Sequence, residues 1–121
     1  MYRAAGPKAL RLDVVGDFLE LDVSDISDIR GSLEVVQGDA TGVVIAFMFS
    51  TEPRGEGRFF EASTGDRLTS IGTGSVSANV INCKGFARVR MMVTTATATA
   101  NSLGIARMCS YTETVQFGRI A

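Results

Sequence analysis

Residues Gly85 to Thr112 read GFARVRMMVTT, then ATATANS, then LGIARMCSYT. Val89, Met91 and Val93 alternate with Arg88, Arg90 and Met92, the period of two that a strand imposes. Arg88 and Arg90 therefore project from one face. In the return segment Leu103, Ile105, Cys109 and Tyr111 share a face, and Arg107 interrupts it. The stretch predicts two strands joined by a long hairpin of small residues. Threonines and the lack of an i,i+4 charge pair weigh against a helix in TTATATANS.

The same alternation recurs upstream. Met1 to Lys8, with Gly6 and Pro7, has no periodicity and reads as an N-terminal arm, leaving residues 9–121 as one domain. Leu10, Leu12 and Val14 then alternate with Arg11 and Asp13, and Gly16-Asp17 makes a turn. Leu19, Leu21 and Val23 alternate with Glu20 and Asp22. DVSDISDIRG reads as a corner, Ser32 to Gln37 as a strand, and Gly38-Asp39 as a turn. Val43 to Phe49 is apolar on both faces, with Val43, Ile45, Phe47 and Phe49 on one and Val44, Ala46 and Met48 on the other. Such a strand is covered on both sides or left as an adhesive patch. Further short strands are expected at Arg58–Ala62, Leu68–Ile71, Val76–Ile81 and Thr114–Ile120. About nine or ten strands with Gly and Asp turns between them predict an all-β, single-domain antiparallel β-sandwich of jelly-roll type.

Composition narrows the function classes. Twelve basic against thirteen acidic residues give a net charge of −1, which argues against nucleic acid or an acidic membrane surface as partner. Apolar residues make up 45% of the chain and mean hydropathy is +0.19, a surplus that points to surface buried between subunits. The longest apolar run, Val43 to Phe49, is far short of a membrane span. MYRAAGPKAL lacks an apolar segment behind its basic residue, so no secretory signal is expected. Cys83 and Cys109 read as small reduced core residues of a cytosolic protein, with a bridge between them as the alternative.

No histidine is present, which removes Ser-His-Asp, Cys-His and histidine–zinc chemistry. GEGRFFEAS and GTGSVSANV lack the Lys-Ser/Thr ending of a phosphate loop. Asp22, Asp25 and Asp28 recur at a spacing of three, with Asp39 further on. They read as a solvated corner in preference to a calcium site, since the spacing is not that of an EF-hand loop. Glu56 with Glu61, or Asp13 with Glu20, could pair as in a glycosidase, but any β protein offers such pairs. No catalytic residue, cofactor or metal is expected. A sugar platform has only Tyr2 and Tyr111 to draw on. The residues expected at a partner interface are Phe47, Met48, Phe49, Arg88, Arg90, Met91 and Met92, an Arg- and Met-rich set of the kind enriched at interfaces.

LDVSDISDIRGSLEVVQG (21–38), VVIAFMFSTEPRGEGRFFEAS (43–63) and Phe86-Ala87-Arg88-Val89-Arg90-Met91-Met92-Val93-Thr94 together resemble small β-sandwich virion proteins of tailed bacteriophages. The similarity spans roughly Leu21 to Tyr111. The central loop departs from that pattern: Ser50-Thr51-Glu52-Pro53-Arg54-Gly55 stands where the family often has Ser-x-Asp-Gly. The resemblance implies a non-enzymatic capsid decoration, or cement, protein. It would sit on the outside of the head shell at junctions of the major capsid protein, usually as a homo-oligomer, often a trimer. It would be made in the bacterial host cytoplasm. The alternative is another head, tail or fibre component with a carbohydrate- or surface-binding sandwich.

Overall fold

The computed structural model describes residues 2–55, 57–69, 74, 76–96 and 100–111. Among them are eight strands: β1 Ala4–Arg11, β2 Phe18–Asp22, β3 Asp28–Gln37, β4 Val44–Ser50, β5 Phe60–Glu61, β6 Val76–Asn82, β7 Arg88–Thr95 and β8 Leu103–Ser110. The one helical element among the described residues is a 3-10 turn, Thr64–Asp66, capped by the Ser63 hydroxyl. The strands form two four-stranded sheets, in the orders β1-β8-β3-β6 and β2-β7-β4-β5. The all-β sandwich expected from the alternation is the observed fold.

The pairing is nested. β1 pairs with β8, β2 with β7, β3 with β6, and β4 with β5, all antiparallel. β3:β8 and β4:β7 then join these ribbons into the two sheets. That is the winding of a jelly roll. It corrects the hairpin expected at residues 85–112. β7 and β8 follow one another in the chain but belong to opposite sheets, so the segment between them crosses from one sheet to the other.

The core lies between the sheets. The second sheet contributes Leu19, Leu21, Ile45, Phe47, Phe49, Val89, Met91 and Val93, and the first contributes Leu10, Ile29, Leu33, Val35, Ile81, Ala106 and Met108. On β8 the inward face is Gly104, Ala106 and Met108, not the larger set of Leu103, Ile105 and Cys109. Small residues are needed there because bulky ones arrive from elsewhere. A Cβ on Gly104 would lie 2.8 Å from Leu33, and one on Gly31 would lie 2.5 Å from the Phe47 ring.

Other expectations change in detail. From Ala4 onward the segment read as an arm is the outer half of β1, whose register is Ala4↔Cys109 to Arg11↔Leu103. Its alternation is hidden because the ladder shifts between Ala5 and Lys8, around Pro7. The corner at residues 22–31 is shorter than expected, since Asp28 to Gly31 already belong to β3. Val14 is exposed beyond the end of β1. Leu68 makes only an isolated bridge with Ile45. The strand expected at Thr114–Ile120 lies outside the described residues.

Both cysteines are free. Cys83 is in the core, where burial pushes its thiol up to about 11, aided by the charge of Asp28. Cys109 faces outward and is half-buried, so it is not a core residue.

Candidate functional site

The residues expected at an interface divide between two environments. Phe47, Phe49 and Met91 are buried between the sheets and offer nothing to a partner. This corrects their assignment to a contact surface. Their alternation with Met48, Arg90 and Met92 set the phase of the strands but not which phase faces out. Arg88, Arg90, Met48 and Met92 are on the outer face of the second sheet, where Met92 lies between Phe18 and Ala46, and Arg90 between Glu20 and Met48.

That outer face is covered by its own side chains. The Arg90 guanidinium is sandwiched between the Phe18 ring at 4.1 Å and the Phe59 ring at 3.9 Å, and its Nε donates to Glu20 Oε1 at 2.7 Å. Arg88 lies 4.9 Å from the Phe59 centroid and 3.5 Å from Glu20 Oε2. Its Nε donates to the Glu52 carbonyl at 2.8 Å and its Nη2 to the Arg54 carbonyl at 3.4 Å. Lys8 closes the far end over Phe18 at 5.3 Å. These cations are satisfied within the chain and hold the loop after β4 against the sheet. Of the two alternatives left open for Val43 to Phe49, the covered strand is the one observed: Ala46 is only 1% exposed, and Val44 and Met48 are half-buried.

The outer face of the first sheet is different. Three rows cross it: Val80–Arg30–Cys109–Ala4, Ala78–Ser32–Arg107, and Val76–Glu34–Ile105–Ala9. Val76 is 63% exposed and Val80 44%, so this face shows apolar side chains to solvent. Arg30 is exposed and, among the described residues, its side chain makes no hydrogen bond or ion pair. Arg107 has only a long contact to Glu34, at 3.9 Å. Two grooves flank Arg30. One, of about 390 Å³, runs past Tyr2, Ala4, Ser32, Arg107 and Cys109. The other, of about 380 Å³, runs past Ala78, Asn79, Val80 and Tyr111. Both tyrosines of the chain thus border the same arginine. Sequence reading missed this because Tyr2, Arg30 and Tyr111 are far apart in the chain. Arg30 also sits in what looked like a polar corner. The face can meet a carboxylate through its guanidinium groups and bury valine and tyrosine surface around it.

Several of the other carboxylates singled out in the sequence are engaged elsewhere. Arg3 contacts Asp22 at 3.2 Å and Asp25 at 3.8 Å. Asp22 also accepts from the Ser24 hydroxyl and amide, which, with Arg3, holds its carboxyl below the usual range. Asp39 is lowered likewise by the Thr41 amide and hydroxyl. Asp13 is paired with Arg11, Glu20 with Arg88 and Arg90, and Glu61 with Arg67 at 2.6 Å. Glu56 lies outside the described residues. Among the described residues no three acidic or cysteine side chains gather as metal ligands would.

No protein-family model matches the chain, and no curated protein matches it. Among solved structures it is similar to the K2 cleaved adhesin domain of Lys-gingipain, with a TM-score of 0.58 and 15% sequence identity. The match covers 80% of this chain and 64% of that one, so the chain spans less than two thirds of the adhesin domain. The likeness is one of fold.

Proposed function

We propose that this chain is a non-enzymatic structural protein of a bacteriophage virion, most closely a decoration protein. It would bind the outside of the head shell where major capsid subunits meet and add stability to it. The observation that carries the proposal is the outer face of the first sheet, where exposed Val76 and Val80 stand beside Arg30, an arginine without a partner among the described residues. An apolar strip next to uncompensated positive charge suits a protein contact whose acidic groups meet Arg30 and Arg107. The resemblance of residues 21–111 to virion sandwiches supplies the partner. In this reading the protein is made in the host cytoplasm and ends on the capsid surface. It associates with itself as well as with the shell, and takes no cofactor, nucleic acid or membrane.

Co-sedimentation of the purified chain with undecorated heads tests the proposal. The wild type is expected to pellet with the heads. Arg30→Glu, folded by circular dichroism, is expected to bind at least tenfold more weakly. A wild type that stays in the supernatant with every virion or shell component removes the reading.

A second reading rests on Tyr2 and Tyr111, which border Arg30 on opposite grooves. Here the same face holds an acidic sugar, stacked on a tyrosine with its carboxylate on Arg30. The chain would then be a surface-binding head, tail or fibre component, and adhesion is also the role named for the solved domain that shares its fold. Binding on a glycan array that Arg30→Glu abolishes would favour this reading over the first.

A further inference from the structure

A sandwich of two open sheets has four edge strands among the described residues, and exposed edges template unwanted pairing unless something blunts them. Three of the four are blunted. β1 carries Pro7, Lys8 and a break in register between Ala5 and Lys8. β5 has only two residues. β2 has five, with Glu20 and Asp22 among them. β6 has none of these devices. Its seven residues, VSANVIN, include no charge and no proline, and its ladder with β3 runs from Asp28↔Asn82 to Glu34↔Val76 without a shift.

The hydrogen-bonding phase of that edge is fixed. The Cys83 amide donates to the Ser27 carbonyl at 2.8 Å, just beyond the end of the β3:β6 ladder. Bonded and non-bonded pairs alternate in an antiparallel ladder, so Ile81, Asn79 and Ser77 also bond to β3. Val76, Ala78, Val80 and Asn82 therefore turn their amides and carbonyls to the open edge. Among the described residues the Val80 amide is met only by the side-chain Oδ1 of its own neighbour Asn79, at 3.0 Å.

We propose that the β6 edge is the self-association site of this chain, and that two copies pair β6 to β6, antiparallel, about a two-fold axis at Asn79. Ala78 of one copy then stands opposite Val80 of the other, and Val76 opposite Asn82. All four are edge-bonding positions, so the register is self-complementary and forms about eight main-chain hydrogen bonds. Val76, Ala78 and Val80 of the two copies interleave on the outer face, where the valines are exposed. The flanking charges stay apart. Glu34 of one copy shares a row with Asp28 of the other, but both β6 strands lie between them, about 14 Å at the usual strand spacing and beyond the Debye length. The product is one eight-stranded sheet that presents both Arg30 grooves on a single surface. This deepens the assembly role proposed above and rests on it for its use: two linked contact faces bind a lattice more tightly than one.

Sedimentation velocity of the full chain across micromolar to submillimolar concentrations reads the association directly. The wild type is expected to dimerise. Ala78→Pro deletes an edge-facing amide while leaving every β3 bond in place. Val80→Lys puts a charge on the edge. Each is expected to weaken dimerisation at least tenfold with an unchanged far-ultraviolet spectrum, whereas Val36→Lys, at an exposed valine elsewhere, leaves it intact. In a Cys109→Ser background, Asn79→Cys places two thiols across the axis at a non-bonded pair, about 4.5 Å between Cα atoms, and mild oxidation is expected to yield covalent dimers. This reading decides the matter if the edge variants fail to fold. A wild type monomeric at every concentration, a trimer, an oligomer that survives Ala78→Pro, or an Asn79→Cys variant that does not cross-link overturns the pairing. The last two results would assign the edge to the chain's own residues 112–121 or to a foreign strand. A dimer that never sediments with heads keeps the pairing and removes the virion role; a monomer that does sediment with them has the opposite effect.

Discussion

Asp13 follows the end of β1 and ties it to the approach to β8. Its carboxylate takes two hydrogen bonds from the Arg11 guanidinium, at 3.0 and 2.9 Å, and one from the Asn101 amide at 3.0 Å. The Arg11 bond first, then the Asn101 amide, draws its pKa down from 3.8 to about 2. The folded value lies below the unfolded one, so the ionised form favours the fold. That contribution is complete above about pH 4 and is lost as the pH falls towards 2. Asp22, Asp39 and Glu61 are lowered too and act in the same direction. The urea midpoint of the wild type is therefore expected to drop between pH 5 and pH 2.5. Asp13→Asn should start lower at pH 5 and fall less. Equal slopes for the two proteins would show that Asp13 has no share in the acid sensitivity. The sequence offers Asp13 only as half of a carboxylate pair with Glu20; its contact with Asn101 is not legible there, because the packing of β8 beside β1 brings the two together.

At the scale of elements, the loop after β4 is the piece most dependent on one side chain. Arg88 has an outward-facing strand position, yet it is 7% exposed because Glu52, Arg54 and Phe59 close over it. Gly57 is part of the fit: a Cβ there would lie 2.5 Å from Arg88 Nη2. Arg88→Ala removes the hydrogen bonds that hold the loop carbonyls and is expected to cost about 2 kcal/mol. It should also raise trypsin cleavage at exposed Arg54 and Arg58 about tenfold, and Arg88→Lys should restore little, since an ammonium cannot reproduce the guanidinium fork. Cleavage at the wild-type rate in Arg88→Ala would mean that the loop is held by something else. The period of two placed Arg88 and Arg90 on the correct face. It could not show that the chain folds back over them, so a buried brace looked like an open rim. β8 misled for the opposite reason. Two of the three residues on its inward face, Gly104 and Ala106, are small, and small residues leave little hydrophobic signature even where they are fully packed.

The described strands form two sheets wound so that, β4 and β5 apart, strands that follow one another in the chain lie in opposite layers. Alternation, turns and the sandwich class could be read from the sequence because each depends on residues a few positions apart. The nested pairing, the placement of β7 and β8 in opposite sheets and the meeting of Tyr2, Arg30 and Tyr111 depend on contacts between distant parts of the chain, and no local pattern encodes them. What fixes the spacing of the layers is a fit across the core. Gly31 on the first sheet leaves room for the Phe47 ring from the second, with Met91 Sδ at 3.3 Å from the position its Cβ would take. Gly31→Ala thus forces a methyl into filled space and is expected to cost about 1–3 kcal/mol. Phe47→Leu alone should cost about 1–2 kcal/mol for the lost ring volume. Combined, the leucine vacates the space that the new methyl needs, so the double variant should be at least 0.5 kcal/mol more stable than the sum of the single changes implies. Urea denaturation of the four proteins at pH 7 measures that coupling. If the two costs simply add, the sheets are held apart by other contacts, and the absent side chain at Gly31 has some purpose other than to admit the ring.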